Sequence, residues 1–291
     1  MAEWFTKPTT LPYFCVVGSP IAHSKSPAIH AAFASQFGFE LLYDKVEVAP
    51  GRLHEAVAEF RGAGGRGLNV TLPLKEEACA LADVRMPRVA RAGVANTLWF
   101  DARGVVADNT DGLGLVRDLE KNYGQSLRGQ RILLIGAGGA ARGVLPVLLD
   151  AGPDRIFVTN RTAERAVAVV NANAASGRVE VLPWGAAVDI SFDVIINATS
   201  LSLRSETPLL APSVLHARTL CYDMMYGLAP TRFMAWATDA GALRVIDGLG
   251  MLVEQAAAAF SIWHGFEPRT APVIAMIRTG LKRGDYSLHS I

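Results

Sequence analysis

Short runs of Val, Ile, Leu and Phe recur along the chain between longer stretches whose apolar positions fall every three or four residues. The short runs predict buried strands and the longer stretches predict amphipathic helices. FCVVG (14–18) reads as a strand, 26–38 as a helix and LLYDKVEV (41–48) as a second strand. A helix over about 50–63 leads to a strand at GLNVT (67–71) and to a helix opening at Leu74. VANTLWF (94–100) and GVVADN (104–109) predict a hairpin around Asp101–Gly104, with glycine supplying the turn. The amphipathic segment 111–124 then connects to a second series of strands at 131–136, 155–160, 179–183, 192–199, 219–226 and 242–247. Further helices are expected over 231–241 and 250–265. This alternation specifies an α/β fold of two domains, the first mainly parallel. The first domain takes 1–112 plus 248–291, because the C-terminal helices are expected to pack back on it, and the second takes 113–247. The cleft between them is the expected ligand site.

Composition narrows the class. The chain has 291 residues, enough for two such domains, and no apolar stretch approaches the roughly 20 residues of a membrane span. The start, MAEWFTKPTT, lacks the basic and apolar regions of a signal peptide. A formal charge of +1 with no basic block gives no reason to expect a nucleic-acid partner. Cys15, Cys79 and Cys221 are dispersed and read as free thiols in a reducing cytoplasm. No histidines pair at ligand spacing, so no metal is expected.

In RILLIGAGGAARG a buried strand ends at Gly136, and Gly138 and Gly139 follow as a helix begins, with Ala141 at the third fingerprint position. Small residues there let the backbone approach a pyrophosphate at a helix N-terminus, which predicts a Rossmann-type dinucleotide-binding domain. An NAD enzyme usually carries a carboxylate at the end of the next strand, for the ribose 2′-hydroxyl. Asn160-Arg161-Thr162 stand there instead, with Arg165 one turn on, and guanidinium groups suit a 2′-phosphate. The expected cofactor is NADP. Thr162 also qualifies as an N-cap, and the two roles can coexist.

Three polar islands sit at predicted strand ends in the first half. GSPIAHSKSP carries Ser24 and Ser26, although Ser26 before Pro27 also reads as a simple N-cap. NVTLPLK carries Asn69, Thr71 and Lys75, and a lysine at a helix start opposes the macrodipole. VANT with ADNTDGLG carries Asn96 and Asp111, the latter explicable by capping alone. Together the islands suggest a pocket for a small, polyhydroxylated anion.

GSPIAHSKSP, NVTLPLK, VANT, DNTDGLG, GAGGAARG, NRT, NATS, YDMMYG and DGLGMLVEQAAAAF resemble, in order, the signature segments of the shikimate dehydrogenase family over about residues 14–265. The likeness is to its NADP-dependent biosynthetic branch, and it implies reduction of 3-dehydroshikimate to shikimate in aromatic amino-acid biosynthesis, in the cytoplasm, by a monomer or homodimer. The resemblance gives Ser24 and Ser26 to the substrate carboxylate, with Tyr226 near that end. It gives Asn69, Thr71, Asn96, Asp111 and Gln255 to the ring hydroxyls, and makes Lys75 and Asp111 the catalytic pair. Gly136, Gly138, Gly139 and Ala140 would line the pyrophosphate turn. Asn160, Arg161, Thr162 and Arg165 would hold the adenosine ribose phosphate, Met225 and Gly248 would sit by the nicotinamide, and Thr199 would also bind the cofactor. Two departures are visible: Ala31 after His30, where Asn is common, and Leu201-Ser202 after NATS, where smaller residues are usual. The alternatives are a quinate/shikimate-type paralogue, whose branch places an aspartate after the second strand, and a non-catalytic NADP-binding sensor, which would have lost Lys75 or Asp111.

Overall fold

The computed structural model describes residues 4–5, 10–186, 189–201 and 206–282. Its first sheet is built from β1 (Tyr13–Gly18), β2 (Leu42–Glu47), β3 (Gly65–Val70), β4 (Val84–Arg85), β5 (Thr97–Asp101) and β6 (Gly104–Asp108). The spatial order is β2-β1-β3-β5-β6-β4. β1 pairs in parallel with both β2 and β3, whereas β5 runs antiparallel to β3 and to β6, so this sheet is mixed. Helices α1 (Ser26–Gln36), α2 (Leu53–Gly62), α3 (Lys75–Ala80) and α4 (Pro87–Ala92) complete the layer. The expected hairpin forms where it was placed. β4 and α4 lie outside every element the periodicity predicts.

The amphipathic segment 111–124 is not one helix. α5 (Asp111–Arg117) passes into a π-helical turn, Asp118–Asn122. There the buried Asp118 side chain accepts from Tyr222 Oη at 2.6 Å and from Asn122 Nδ2 at 2.8 Å. The second sheet follows: β7 (Arg131–Ile135), α6 (Gly139–Asp150), β8 (Arg155–Thr159), α7 (Ala163–Ala172), β9 (Val179–Val181), β10 (Phe192–Asn197), β11 (Leu215–Asp223), α8 (Arg232–Asp239) and β12 (Arg244–Asp247). Its order, β12-β11-β10-β7-β8-β9, is parallel throughout and is that of a doubly wound dinucleotide fold, whose ligands sit where strand order reverses, beside β7. α9 (Leu249–His264) and α10 (Ala271–Lys282) return to the first layer and pack on α1.

The two layers share a core. Ile29 and Phe33 of α1, Leu115 of α5, Leu145 of α6, Met251 and Phe260 of α9 and Ile132 of β7 are buried in one cluster. α5 reaches α6 closely because each helix sets a glycine against a side chain or backbone of the other. A Cβ on Gly112 would lie 2.5 Å from Val147 Cγ2, and one on Gly143 would lie 3.0 Å from Asp111 Oδ2. This approach sets the C-terminal ends of β3 and β6 against the start of α6.

Candidate active site

The three polar islands converge on one cleft, lined among others by Ser24, Ser26, Asn69, Thr71, Lys75, Asn96, Asp111, Tyr226 and Gln255. On its wall Lys75 Nζ donates to Asp111 Oδ2 at 2.7 Å, with side chains only 5% and 1% exposed. Asp111 is the first residue of α5 and its side chain caps nothing, so the capping explanation fails. Its other oxygen, Oδ1, accepts from Asn96 Nδ2 at 2.8 Å, and its N–H donates to Asn109 Oδ1 at 3.0 Å. Both carboxylate oxygens are therefore oriented by donors, and the lysine is aimed by the carboxylate.

Asn96 is itself held at its other end, where Oδ1 accepts from the Thr110 N–H and from Thr97 Oγ1, each at 2.8 Å. Asn96 Nδ2 also lies 3.1 Å from Gln255 Oε1 of α9. Asn69 Nδ2 donates to Asn96 O at 3.2 Å, and its Oδ1 accepts from Tyr43 Oη at 2.6 Å. Tyr43 stacks on His30, with ring centroids 4.4 Å apart. Tyr43, Asn109 and Thr110 brace the cleft and escaped the sequence reading. Asn109 and Thr110 lie inside the quoted motif DNTDGLG, but Tyr43 of β2 reaches Asn69 of β3 over the intervening β1 and leaves no local signal.

Ser24 Oγ donates to Ser26 Oγ at 3.2 Å. Ser26 is the first residue of α1 and Lys25 holds the cap position without a side-chain capping bond, while Ser24 Oγ accepts from the Ser26 N–H at 3.3 Å, which removes the N-cap explanation for Ser26. Tyr226 is buried, and burial together with Asp247 pushes its phenol well above the usual range, so it stays protonated.

A second groove adjoins the first. Leu72 and Met225 line it while their neighbours Thr71 and Tyr226 line the cleft, so the two share a wall. Gly136, Gly138, Gly139, Ala140, Asn160, Arg161, Thr162, Arg165, Thr199 and Met225 all line this groove. Gly248 does not line it. Its N–H donates to Met225 O at 2.9 Å, one step behind the wall. Gly136 has φ +116, a conformation L side chains rarely adopt, and a Cβ on Gly138 would meet nothing within 4 Å. Thr162 occupies the N-cap position of α7 without a side-chain capping bond. Among the described residues no carboxylate lines the groove, and neither the Arg161 nor the Arg165 guanidinium is engaged. An open glycine turn at a helix start, followed by two exposed unengaged guanidinium groups, fits a dinucleotide carrying a 2′-phosphate. Leu201 lines the groove, and Ser202 lies outside the described residues. No group of metal-binding side chains occurs among the described residues, and none of their helices is long and apolar enough to cross a membrane.

Comparison with known proteins agrees with this arrangement. Residues 16–98 match the shikimate dehydrogenase substrate binding domain, 118–217 match shikimate / quinate 5-dehydrogenase, and 248–277 match the shikimate 5′-dehydrogenase C-terminal domain. The chain is 49% identical to the shikimate dehydrogenase (NADP(+)) of Alkalilimnicola ehrlichii, covering 91% of this chain and 98% of that one. It is 50% identical to that of Dechloromonas aromatica, covering 92% and 98%. The crystal structure of shikimate 5-dehydrogenase from Thermus thermophilus in complex with NADP(H) and shikimate superposes with a TM-score of 0.80 at 34% identity, covering 93% and 100%. On these matches and the site they coincide with, the chain belongs to the shikimate dehydrogenase family.

Proposed function

We infer that the two adjoining grooves carry out the NADPH-dependent, reversible reduction of 3-dehydroshikimate to shikimate, a step of aromatic amino-acid biosynthesis. The observation that carries this reading is the buried Lys75–Asp111 pair, 2.7 Å apart at the wall between the grooves. Bound NADPH supplies the hydride that the substrate carbonyl carbon accepts. The chain's own residues then manage charge and position. As negative charge builds on the carbonyl oxygen, the Lys75 ammonium donates a proton to it, and Asp111 keeps Nζ aimed into the cleft. In the reverse direction neutral Lys75 accepts the proton of the ring hydroxyl. Asn69, Thr71, Asn96 and Gln255 bind the remaining hydroxyls, and Ser24 and Ser26 the carboxylate, beside the protonated Tyr226 phenol. Gly136, Gly138, Gly139 and Ala140 take the pyrophosphate, Arg161 and Arg165 the 2′-phosphate with Asn160 and Thr162 shaping that turn, and Thr199 and Met225 the nicotinamide end.

The division of the chain that suits this work is 1–112 plus 248–291 for substrate and 113–247 for cofactor, supported by the two sheets. A cytoplasmic monomer or homodimer is the matching cellular form. A quinate/shikimate-type paralogue is disfavoured by Arg161-Thr162 after β8, and a sensor by the intact Lys75–Asp111 pair. The deciding experiment follows absorbance at the NADPH band when purified protein meets shikimate and NADP+. A rise with shikimate and none with quinate is expected, and no rise with shikimate overturns the reading.

A further inference from the structure

Helix α6 does more than open at the glycine turn. Residues 139, 142 and 143 share one face of it. At that face a Cβ on Gly139 would lie 3.7 Å from Lys75 Cβ, and one on Gly143 would touch Asn109 and Asp111 at 3.0 Å. Between these bare positions stands Arg142. Its guanidinium spans to the first layer: Nε donates to Ala92 O at 3.3 Å, Nη2 to Gly93 O at 3.4 Å, and Nη1 lies 3.2 Å from Glu76 Oε1. Gly93, at φ +65, leaves the space it fills, since a Cβ there would sit 2.4 Å from Nη2.

What Arg142 grips flanks the catalytic pair on both sides. Glu76 follows Lys75 directly. Gly93 leads into Val94, whose carbonyl accepts from Asn109 Nδ2 at 3.1 Å, and into Ala95, whose N–H donates to Lys75 O at 2.9 Å. Asn96, which orients Asp111, comes next. We propose that Arg142 is a positioning residue that registers the Lys75–Asp111 pair against the start of α6, so that proton donor and hydride donor are aligned across the wall of the two grooves. A fork with three acceptors can fix both a distance and an angle, which a single ammonium cannot. A displacement of about 1 Å at a reacting centre costs up to about 10²-fold in rate.

This assignment rests on the dehydrogenase reading, which wild-type turnover tests separately. Given that turnover, Arg142→Gln is expected to lower kcat about tenfold, with the KM values for shikimate and NADP+ within about twofold of wild type. The primary isotope effect on shikimate deuterated at the oxidised carbon should rise as hydride transfer becomes limiting. In cofactor-free protein, hydrogen exchange at the Ala95 amide should quicken, while NADPH affinity read by fluorescence stays unchanged. Arg142→Lys should recover part of kcat. Arg91→Gln removes another contact between α4 and α6, to Asp150 at 2.7 Å, and should leave kcat within about twofold. Wild-type kcat in both Arg142 variants overturns the proposal. So does an equal loss in Arg91→Gln, which would mean that generic layer packing matters, or a loss confined to NADPH affinity. Should Arg142→Gln fail to fold, Arg142→Lys decides by the same kcat, isotope and exchange readouts.

Discussion

His30 offers a prediction whose size follows from burial alone. Its ring is fully buried, neither nitrogen has a hydrogen-bond partner among the described residues, and it stacks on Tyr43, which in turn holds Asn69. Burial, with His264 nearby, lowers its pKa to about 3. In the unfolded chain it returns to about 6.5. The unfolded state therefore binds the extra proton between those values, and stability is lost as pH falls below about 6.5, the loss levelling off below about 3. At pH 5 the unfolded imidazole is almost wholly protonated and the folded one almost wholly neutral. The free energy lost relative to pH 7.5 is then about 1.36 kcal/mol for each of about 1.5 pH units, or about 2 kcal/mol. Moving the folded value up by a whole unit changes this by only about 0.05 kcal/mol, so the figure rests on burial and not on the depth of the shift. His30→Phe keeps an aromatic ring in the stack and removes the titration. Its packing cost shifts the whole stability curve, but the drop between pH 7.5 and pH 5 should be smaller than in wild type by about 2 kcal/mol. His264, whose pKa burial lowers to about 4, titrates in both proteins and largely cancels. Urea unfolding followed by tryptophan fluorescence at the two pH values measures the difference, and equal drops in both proteins would refute the reasoning.

Lys75→Ala should lower kcat by about 10²–10⁴-fold with little change in KM, and a near wild-type kcat in steady-state assays would remove it from the chemistry. Asp111→Asn should be similarly impaired, with melting temperature checked because it strands a buried ammonium. Ser24→Ala should mainly raise KM for shikimate, and an amide analogue of the substrate should lose less affinity than shikimate does. Equal losses would make the hydroxyl structural. Arg161→Ala should weaken NADPH binding about tenfold, towards the low end for a charge-assisted bond because the side chain is exposed, and leave NADH binding nearly unchanged. Equal kcat/KM for NADPH and NADH in the wild type would contradict the cofactor assignment.

What was legible from sequence was periodic or local. The second sheet announced itself because its central strands are buried on both faces and carry apolar runs, ILLI in β7 and VII in β10. The strand-end islands were legible because motif and site coincide in sequence. Where competing local explanations existed, tertiary partners decided. Ser26 and Asp111 looked like caps, and neither caps anything: Ser26 pairs with its neighbour Ser24, and Asp111 is engaged by the distant Lys75 and Asn96. β4 is two residues long, too short for any alternation to register, and α4 spans little more than one turn. Asp118, where 111–124 passes into its π-helical turn, is bonded by Tyr222 more than a hundred residues away, a partner no window along the chain could contain.

The ion pairs show why the Lys75–Asp111 contact demands a functional explanation. Among the described residues, Arg278–Asp247 and Arg88–Asp108 each bury a carboxylate but leave the guanidinium about a third exposed, and the remaining pairs apart from Lys75–Asp111 bury neither partner. Of the pairs among the described residues, only Lys75–Asp111 buries both partners. Taking two charges out of water costs several kcal/mol per ion, and replacing such a pair by apolar side chains is often neutral or stabilising by about 1–4 kcal/mol. Stability therefore gives no reason to keep a lysine and an aspartate here, and capping has been removed as a reason for the aspartate. The proton transfer proposed for Lys75 is the reason that fits such a pair, buried beside a hydroxyl-rich cleft and a dinucleotide groove with its carboxylate oriented at both oxygens.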